Sequence, residues 1–197
     1  MGAAACLLKE KGHEVHGCDL KFYPPMGDYL KQTGIPLYKS EEITPEFLRG
    51  FDLIVVGNVV SGKSAEARML EEVGVPIVSF PSALGALVLS DANVVGIAGT
   101  HGKTTTTYFF TQLFEKLGVN PGYFIGGVLD GKNSSHLGDG RYFFIEADEY
   151  DSAYFEKISK FRLYCIDHLI LTSLEFDHAD IFKNVEEIKD QFKFALN

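Results

Sequence analysis

The sequence predicts an α/β fold with mainly parallel sheets, laid out as two successive units. Three observations lead there. Short apolar runs, FDLIVVG at 51–57, VPIVSF at 75–80 and NVVGIAG at 93–99, recur between segments of helical pattern. That alternation of strand and helix builds parallel sheets, and runs apolar throughout suit strands buried on both faces. A glycine-rich turn stands between a strand and a helix in GIAGTHGKTTTT, residues 96–107. Finally, the polar stretch SDAN, residues 90–93, interrupts the alternation and marks a boundary between residues 1–90 and 91–197.

The elements follow in order. MGAAACLLKEKG reads as a helix with an apolar Leu7–Leu8 pair, basic Lys9 and Lys11, and a stop at Gly12. HEVHGCD follows as a short strand ending on Asp19. A helix feeding a strand is the second half of a βαβ unit, so an opening strand and its glycine turn are expected before residue 1. The first unit is thus predicted to be Rossmann-like with its first strand missing. FDLIVVG is the next strand. SAEARMLEEVG (64–74) is a helix closed by Gly74, VPIVSF a strand, and PSALGALVL a helix with Pro81 near its start. In the second unit NVVGIAG is a strand, GTHG a turn and KTTTTYFFTQLFEKLG a helix ended by Gly118. GYFIGG, RYFFIEAD and HLILTSL are three further apolar strands. NVEEIKDQFKFALN reads as an amphipathic helix capped by Asn184, with Val185, Ile188, Phe192 and Leu196 on one face. The sequence stops at that helix, so the second unit is expected to be incomplete as well.

Composition narrows the function. The chain has 197 residues, 46% of them hydrophobic, and 27 acidic against 18 basic residues give a net charge of −9. An acidic chain is a poor binder of nucleic-acid backbone, so no nucleic-acid partner is expected, and any anion must be held locally by backbone amides and a few placed cations. Cys6, Cys18 and Cys165 are widely spaced and odd in number. They suit reduced thiols in a cytoplasmic protein better than a disulfide frame or a zinc site. No apolar run approaches the roughly 20 residues of a membrane span, so no membrane association is expected.

The chemistry-bearing stretch is the glycine loop. Glycines let the backbone curl so that several N–H groups point at phosphate oxygens, and the helix beginning near Lys103 adds its positive end. In a P-loop the lysine reaches the β- and γ-phosphates and the following hydroxyl, here Thr104, ligates Mg²⁺. Five residues separate Gly96 from Gly102, one more than the general pattern has. The plain alternative is a strand–turn–helix with glycines for tight packing. Thr105, Thr106 and Thr107 read mainly as first-turn helix residues. Two acidic clusters follow strands: IEADEYD (145–151) and LEFDHAD (174–180). Ligands of open α/β sheets sit at the carboxyl ends of strands, so the loop, Glu146 and His178 are expected to converge on one crevice suited to Mg²⁺ beside a triphosphate. Taken singly, each would be a solvated loop charge.

At these residues the sequence resembles the Mur ligases. GIAGTHGKTTTT is similar to their ATP loop, GxxGTxGK[ST], which accounts for the extra residue. The histidine at 101 is typical of the branch that acts on UDP-N-acetylmuramate itself. IEADEYDSAYFEKISKF and LEFDHADIF, with GNVVSGKSAEA and VSFPSAL, resemble the members that attach a recycled murein tripeptide. Members that add L-alanine read EADESD, with Ser where this chain has Tyr150, and TNxExDHxD where it has TSLEFDHAD. The similarity runs through nearly all 197 residues. The chain departs from the family in three places. The N-terminal GxGGxGM loop for the UDP portion is absent except for a remnant at Met1–Gly2, the C-terminal domain is missing, and Ser173 replaces the usual Asn.

The resemblance implies an ATP-dependent ligase of peptidoglycan recycling. ATP would phosphorylate the lactyl carboxylate of UDP-N-acetylmuramate, and the amine of L-Ala-γ-D-Glu-meso-diaminopimelate would attack the acyl phosphate. Lys103 would stabilise the transferring phosphoryl group. Thr104 and Glu146 would hold one Mg²⁺ and His178 a second. Gly99, Thr100 and Gly102 would cradle phosphate, with His101 and Thr105 in the same nucleotide-binding stretch. Asp19, at a strand end where a dinucleotide fold places an acid on a ribose, is expected near the uridine. The 197 residues alone are expected to be inactive. Two alternatives stay open: an L-alanine ligase with the same nucleotide residues, and a nucleotide-binding module without ligase activity.

Overall fold

The structure, a computed structural model, describes residues 1–127, 133–148, 150–173 and 175. Helix α1 (Gly2–Glu10) buries Ala3, Ala4, Cys6, Leu7 and Leu8, and the chain leaves it through Gly12 at φ +102°. Strand β1 (Gly17–Asp19), helix α2 (Met26–Thr33) and strand β2 (Leu37–Lys39) follow, and then the short helix α3 (Pro45–Leu48). The start of α3 is fixed by sequence: Pro45 is in its first turn, and the Phe47 amide donates to Thr44 Oγ1 at 3.2 Å. Strand β3 (Ile54–Val56) leads to helix α4 (Ala65–Glu72), where the Ala67 amide donates to the capping hydroxyl of Ser64 at 3.1 Å. Strand β4 (Ile77–Ser79) runs into helix α5 (Phe80–Leu84). β1 pairs with β2 and β3 with β4, both in parallel, as two separate ribbons.

The second unit holds β5 (Asn93–Ala98), helix α6 (Lys103–Lys116), β6 (Gly122–Phe124), β7 (Ser135–His136), β8 (Tyr142–Glu146) and β11 (His168–Leu171). A hairpin of β9 (Asp151–Ala153) and β10 (Glu156–Ser159) precedes β11. Among the described residues five strands form one sheet in the order β11-β5-β8-β6-β7, parallel except for the β6–β7 pair. The expected α/β class with mainly parallel pairing is what forms.

The core does not break at the SDAN turn. Leu7 and Leu8 of α1 and Phe80 and Leu84 of α5 share one buried cluster with Val94, Ala98, Phe143, Ile145, Phe161 and Tyr164 of the second unit. Hydrogen bonds cross the same seam: Ser135 Oγ donates to Ala3 O at 2.9 Å, and the Leu137 amide donates to Glu10 Oε2 at 2.7 Å. Two details differ from the sequence reading. The strand expected over HEVHGCD is regular only at Gly17–Asp19, and His13 and Glu14 before it are exposed. PSALGALVL is not one α-helix, because α5 passes at Gly85 into a π turn, Gly85–Leu89. A Cβ at Gly85 would overlap Leu163 O, so glycine is what allows the backbones to touch there. The helix expected from Asn184, with its face of Val185, Ile188, Phe192 and Leu196, lies outside the described residues.

Candidate active site

β5 lies between β11 and β8, both parallel to it, so its carboxyl end opens between two other strand ends. In such sheets that is where ligands bind. The loop 99–102 leaves β5 there and turns into α6. Gly99 is at φ +130° and Gly102 at φ +85°, backbone that L side chains rarely adopt. Gly99 is also pressed against the next strand end: a Cβ on it would overlap Thr172 Oγ1 and lie 2.7 Å from Ser173 O. Gly102 is the N-cap of α6, and among the described residues no side chain caps that end. Among the described residues the amides of Gly102, Thr104 and Thr105 have no hydrogen-bond partner. First-turn amides together with the positive end of a 14-residue helix are the elements from which anion-binding sites are built.

The loop is tied to the segment after β11. The Thr100 amide donates to Ser173 O at 3.1 Å, and the His101 amide donates to Ser173 Oγ at 2.9 Å. Thr172 Oγ1 donates to His101 O at 2.5 Å, and Thr100 Oγ1 accepts from the Glu175 amide at 2.9 Å. Ser173, which departs from the family pattern, therefore braces the loop. Lys103 Nζ donates to Gly99 O at 2.5 Å, so its ammonium lies across the loop. Thr104 is half-buried in the first turn, and Thr105 is exposed beside it. Further along, Thr107 is fully buried and its hydroxyl donates to Lys103 O at 2.9 Å. This is the back-bonding expected of threonines in a helix start.

Glu146 ends β8 opposite Ile97 of β5 and is therefore beside the loop's strand. Its Oε1 accepts the Gly126 amide at 2.9 Å. Beneath this acidic loop the phenol of Tyr164 is 1% exposed. Burial raises its pKa well above the usual phenol range, and the carboxylates of Asp148 and Glu146 push it further the same way. Of the residues expected from sequence, Gly99, Thr100, His101, Gly102, Lys103, Thr104, Thr105 and Glu146 are brought to one sheet end. Asp19 is exposed at the end of β1 in the other unit, with the Lys21 amide 3.4 Å from its Oδ1. His178 lies outside the described residues, three positions beyond Glu175.

Among the described residues no cluster of three or more His, Cys, Asp or Glu side chains could hold a metal by itself. Mg²⁺ is ordinarily held by one or two carboxylates completed by phosphate oxygens and water. The hard oxygen donors of Thr104 and Glu146 fit that demand when nucleotide is bound. Sequence reasoning missed the bracing by Thr172 and Glu175 and the Gly126 amide on Glu146. Their signal was faint: polar residues just past an apolar strand.

Residues 1–91 match the Mur ligase family catalytic domain, and residues 97–195 match the Mur ligase middle domain. This chain belongs to the Mur ligase family. It is 44% identical over 196 residues to the UDP-N-acetylmuramate--L-alanyl-gamma-D-glutamyl-meso-2,6-diaminoheptandioate ligase of Escherichia coli, covering 98% of this chain and 42% of that protein. It is 36% identical over 200 residues to a UDP-N-acetylmuramate--L-alanine ligase of Borrelia garinii, covering 98% of this chain and 41% of that relative. The crystal structure of a UDP-N-acetylmuramate:L-alanyl-gamma-D-glutamyl-meso-diaminopimelate ligase from Neisseria meningitides superposes with a TM-score of 0.88 at 40% identity. That match covers 98% of this chain and 62% of the Neisseria chain. The Mur ligase chain described here thus spans less than half the length of these two curated relatives. Among the described residues no helix is long and apolar enough to cross a membrane.

Proposed function

We propose that this Mur ligase chain is the sugar-nucleotide and ATP-binding part of an enzyme that joins L-Ala-γ-D-Glu-meso-diaminopimelate to the lactyl carboxylate of UDP-N-acetylmuramate. The observation that carries the reading is the loop Gly99–Thr104. It opens a helix at the carboxyl end of a central strand, is braced by Thr172, Ser173 and Glu175 and lies beside Glu146. The activity is ascribed to the full-length protein, acting in the cytoplasm. Residues 1–90 form the UDP-N-acetylmuramate unit, with Asp19 near the uridine, and residues 91–197 the ATP unit.

Each residue has a physical task. The Gly99–Gly102 loop and the first-turn amides hold the phosphates, with Thr100, His101 and Thr105 in the same lining. Lys103 places its ammonium where charge grows on the transferring phosphoryl group. Thr104 and Glu146 hold Mg²⁺, and His178 helps hold a second ion, which when bound neutralises phosphate charge. No covalent nucleophile is required, since alignment and charge neutralisation supply most of the rate. The tripeptide is favoured over L-alanine because Tyr150 and the EKISK stretch match the tripeptide-attaching pattern and because the relatives named for that substrate have the higher identities. The test is phosphate release by the full-length protein given ATP, Mg²⁺, UDP-N-acetylmuramate and tripeptide. Lys103→Ala is expected to lower it by about 10²-fold or more while the fold persists. Near-normal turnover would overturn the loop assignment, and nucleotide binding without substrate-dependent phosphate release would point to a module that is not a ligase.

A further inference from the structure

The hairpin β9–β10 has a role that the loop chemistry leaves unused. It leaves the acidic loop directly after Glu146 and returns to the core through Lys160. It also reaches back to the first unit: Ser79 Oγ donates to Glu156 Oε2, and Ser82 Oγ donates to both Glu156 oxygens at 3.0 and 3.2 Å. Ser79 is also the cap of α5, accepting the Ser82 amide at 3.3 Å, so the carboxylate grips the start of that helix. Tyr154 at the hairpin tip packs beside Gly62, where a Cβ would approach its ring to 2.9 Å.

The other end of the hairpin carries a buried cation. Lys160 is 7% exposed, and its Nζ donates to Asp148 Oδ2 at 2.8 Å. It lies over the rings of Phe80, from the first unit, and Tyr150, at 5.7 and 5.6 Å. Its own amide donates to Tyr150 O at 3.1 Å, while the Tyr150 amide donates to Asp148 Oδ1 at 3.0 Å. Asp148 is two residues from Glu146, so one lysine pins the loop that follows the metal carboxylate by both side chain and backbone. Surface lysines do not do this: a buried ammonium persists only when paired, and pairing fixes its partners.

We propose that β9–β10 is a strap that sets the place of Glu146 relative to the first unit, with Glu156 and Lys160 as its positioning residues. The proposal rests on the reading of Glu146 as a Mg²⁺ ligand. The strap fixes the distance between the unit ascribed to UDP-N-acetylmuramate and the metal end of the ATP site, which an in-line transfer between the two substrates requires.

The test uses the full-length protein and titrates Mg²⁺ at saturating ATP, comparing wild type with Lys160→Met, Lys160→Arg and Glu156→Ala. Lys160→Met is expected to raise at least about threefold the Mg²⁺ concentration for half-maximal rate and, in the same proportion, that for half-maximal binding of a fluorescent non-hydrolysable ATP analogue, and to lower kcat about tenfold, with KM for ATP nearly unchanged. Lys160→Arg keeps the charge and recovers most of both. Should Lys160→Met fail to fold, Glu156→Ala carries the test, with a shift in the same direction. Variants that are folded and share the wild-type Mg²⁺ dependence and kcat overturn the strap. A wild-type protein with no Mg²⁺-dependent turnover overturns instead the functional reading beneath it.

Discussion

Replacing Gly99 by alanine separates two costs that the structure makes distinct. The residue is at φ +130°, and a non-glycine side chain held in such a region costs about 1–3 kcal/mol. The added methyl also meets backbone that cannot rotate aside, Ser173 O at 2.7 Å and Ser173 N at 2.8 Å, besides Thr172 Oγ1. Forced overpacking of that kind adds about 1–3 kcal/mol. The sum, about 2–6 kcal/mol, corresponds to a melting temperature lower by roughly 5–20 °C for a chain of this size. Gly118→Ala is the control. It is at φ +79° with nothing within 4 Å of its Cβ, so only the backbone cost of about 1–2 kcal/mol applies. Thermal melts followed by circular dichroism compare the two. Gly99→Ala should melt clearly below Gly118→Ala and should also lose binding of a fluorescent ATP analogue, because the bracing of Thr100 and His101 moves with Ser173. If Gly99→Ala melts no lower than Gly118→Ala, the close approach of the loop to the end of β11 is wrong.

Glu146→Ala should raise the Mg²⁺ requirement of the full-length protein several-fold. It should cost only about 0.5–1.5 kcal/mol of stability for the lost Gly126 hydrogen bond, so a large stability loss with an unchanged Mg²⁺ requirement would make Glu146 structural. His178→Ala is expected to act on the Mg²⁺ requirement in the same way. Stability should also fall with rising pH above about 10. There an unfolded Tyr164 loses its proton while the folded one keeps it, so the native state binds more protons and the slope approaches about −1.4 kcal/mol per pH unit. Tyr29, pushed up to about 12 by burial first, adds to the same trend. Tyr164→Phe should flatten the decline between pH 10 and 11 in melts, and an unchanged slope would rule Tyr164 out as its source.

Much of this architecture is legible in the sequence where local chemistry and burial agree. β5 and β8 are apolar runs buried at the centre of a sheet, and the intervening Gly-rich turn announces α6. The helix over SAEARMLEEVG carries its capping Ser64 in the sequence, whereas the short α3, capped by Thr44, is not among the elements read from it. The hairpin β9–β10 left a weaker signal. Among the described residues its strands pair only with each other, so DSAYFEKIS needs no continuous apolar run. α2 and β2 are short and half-exposed, which blunts their periodicity. The placement of the loop from Gly99 to Thr105 and of Glu146 at one sheet end could be read in advance because both follow apolar strand runs in the sequence. The contacts of Ser173 with His101, and of Glu156 with Ser79 and Ser82, join residues 72 to 77 positions apart. No local pattern encodes such contacts, and only the fold brings them together.

The most direct measurement offers the full-length protein both amines at once. With ATP, Mg²⁺ and UDP-N-acetylmuramate present, equal concentrations of L-alanine and L-Ala-γ-D-Glu-meso-diaminopimelate compete, and the products are separated by mass. The account predicts that the tripeptide adduct dominates and that Lys103→Ala yields neither product. Predominant L-alanine adduct would contradict the substrate assignment, and adduct formation by Lys103→Ala at the wild-type rate would contradict the role given to the loop.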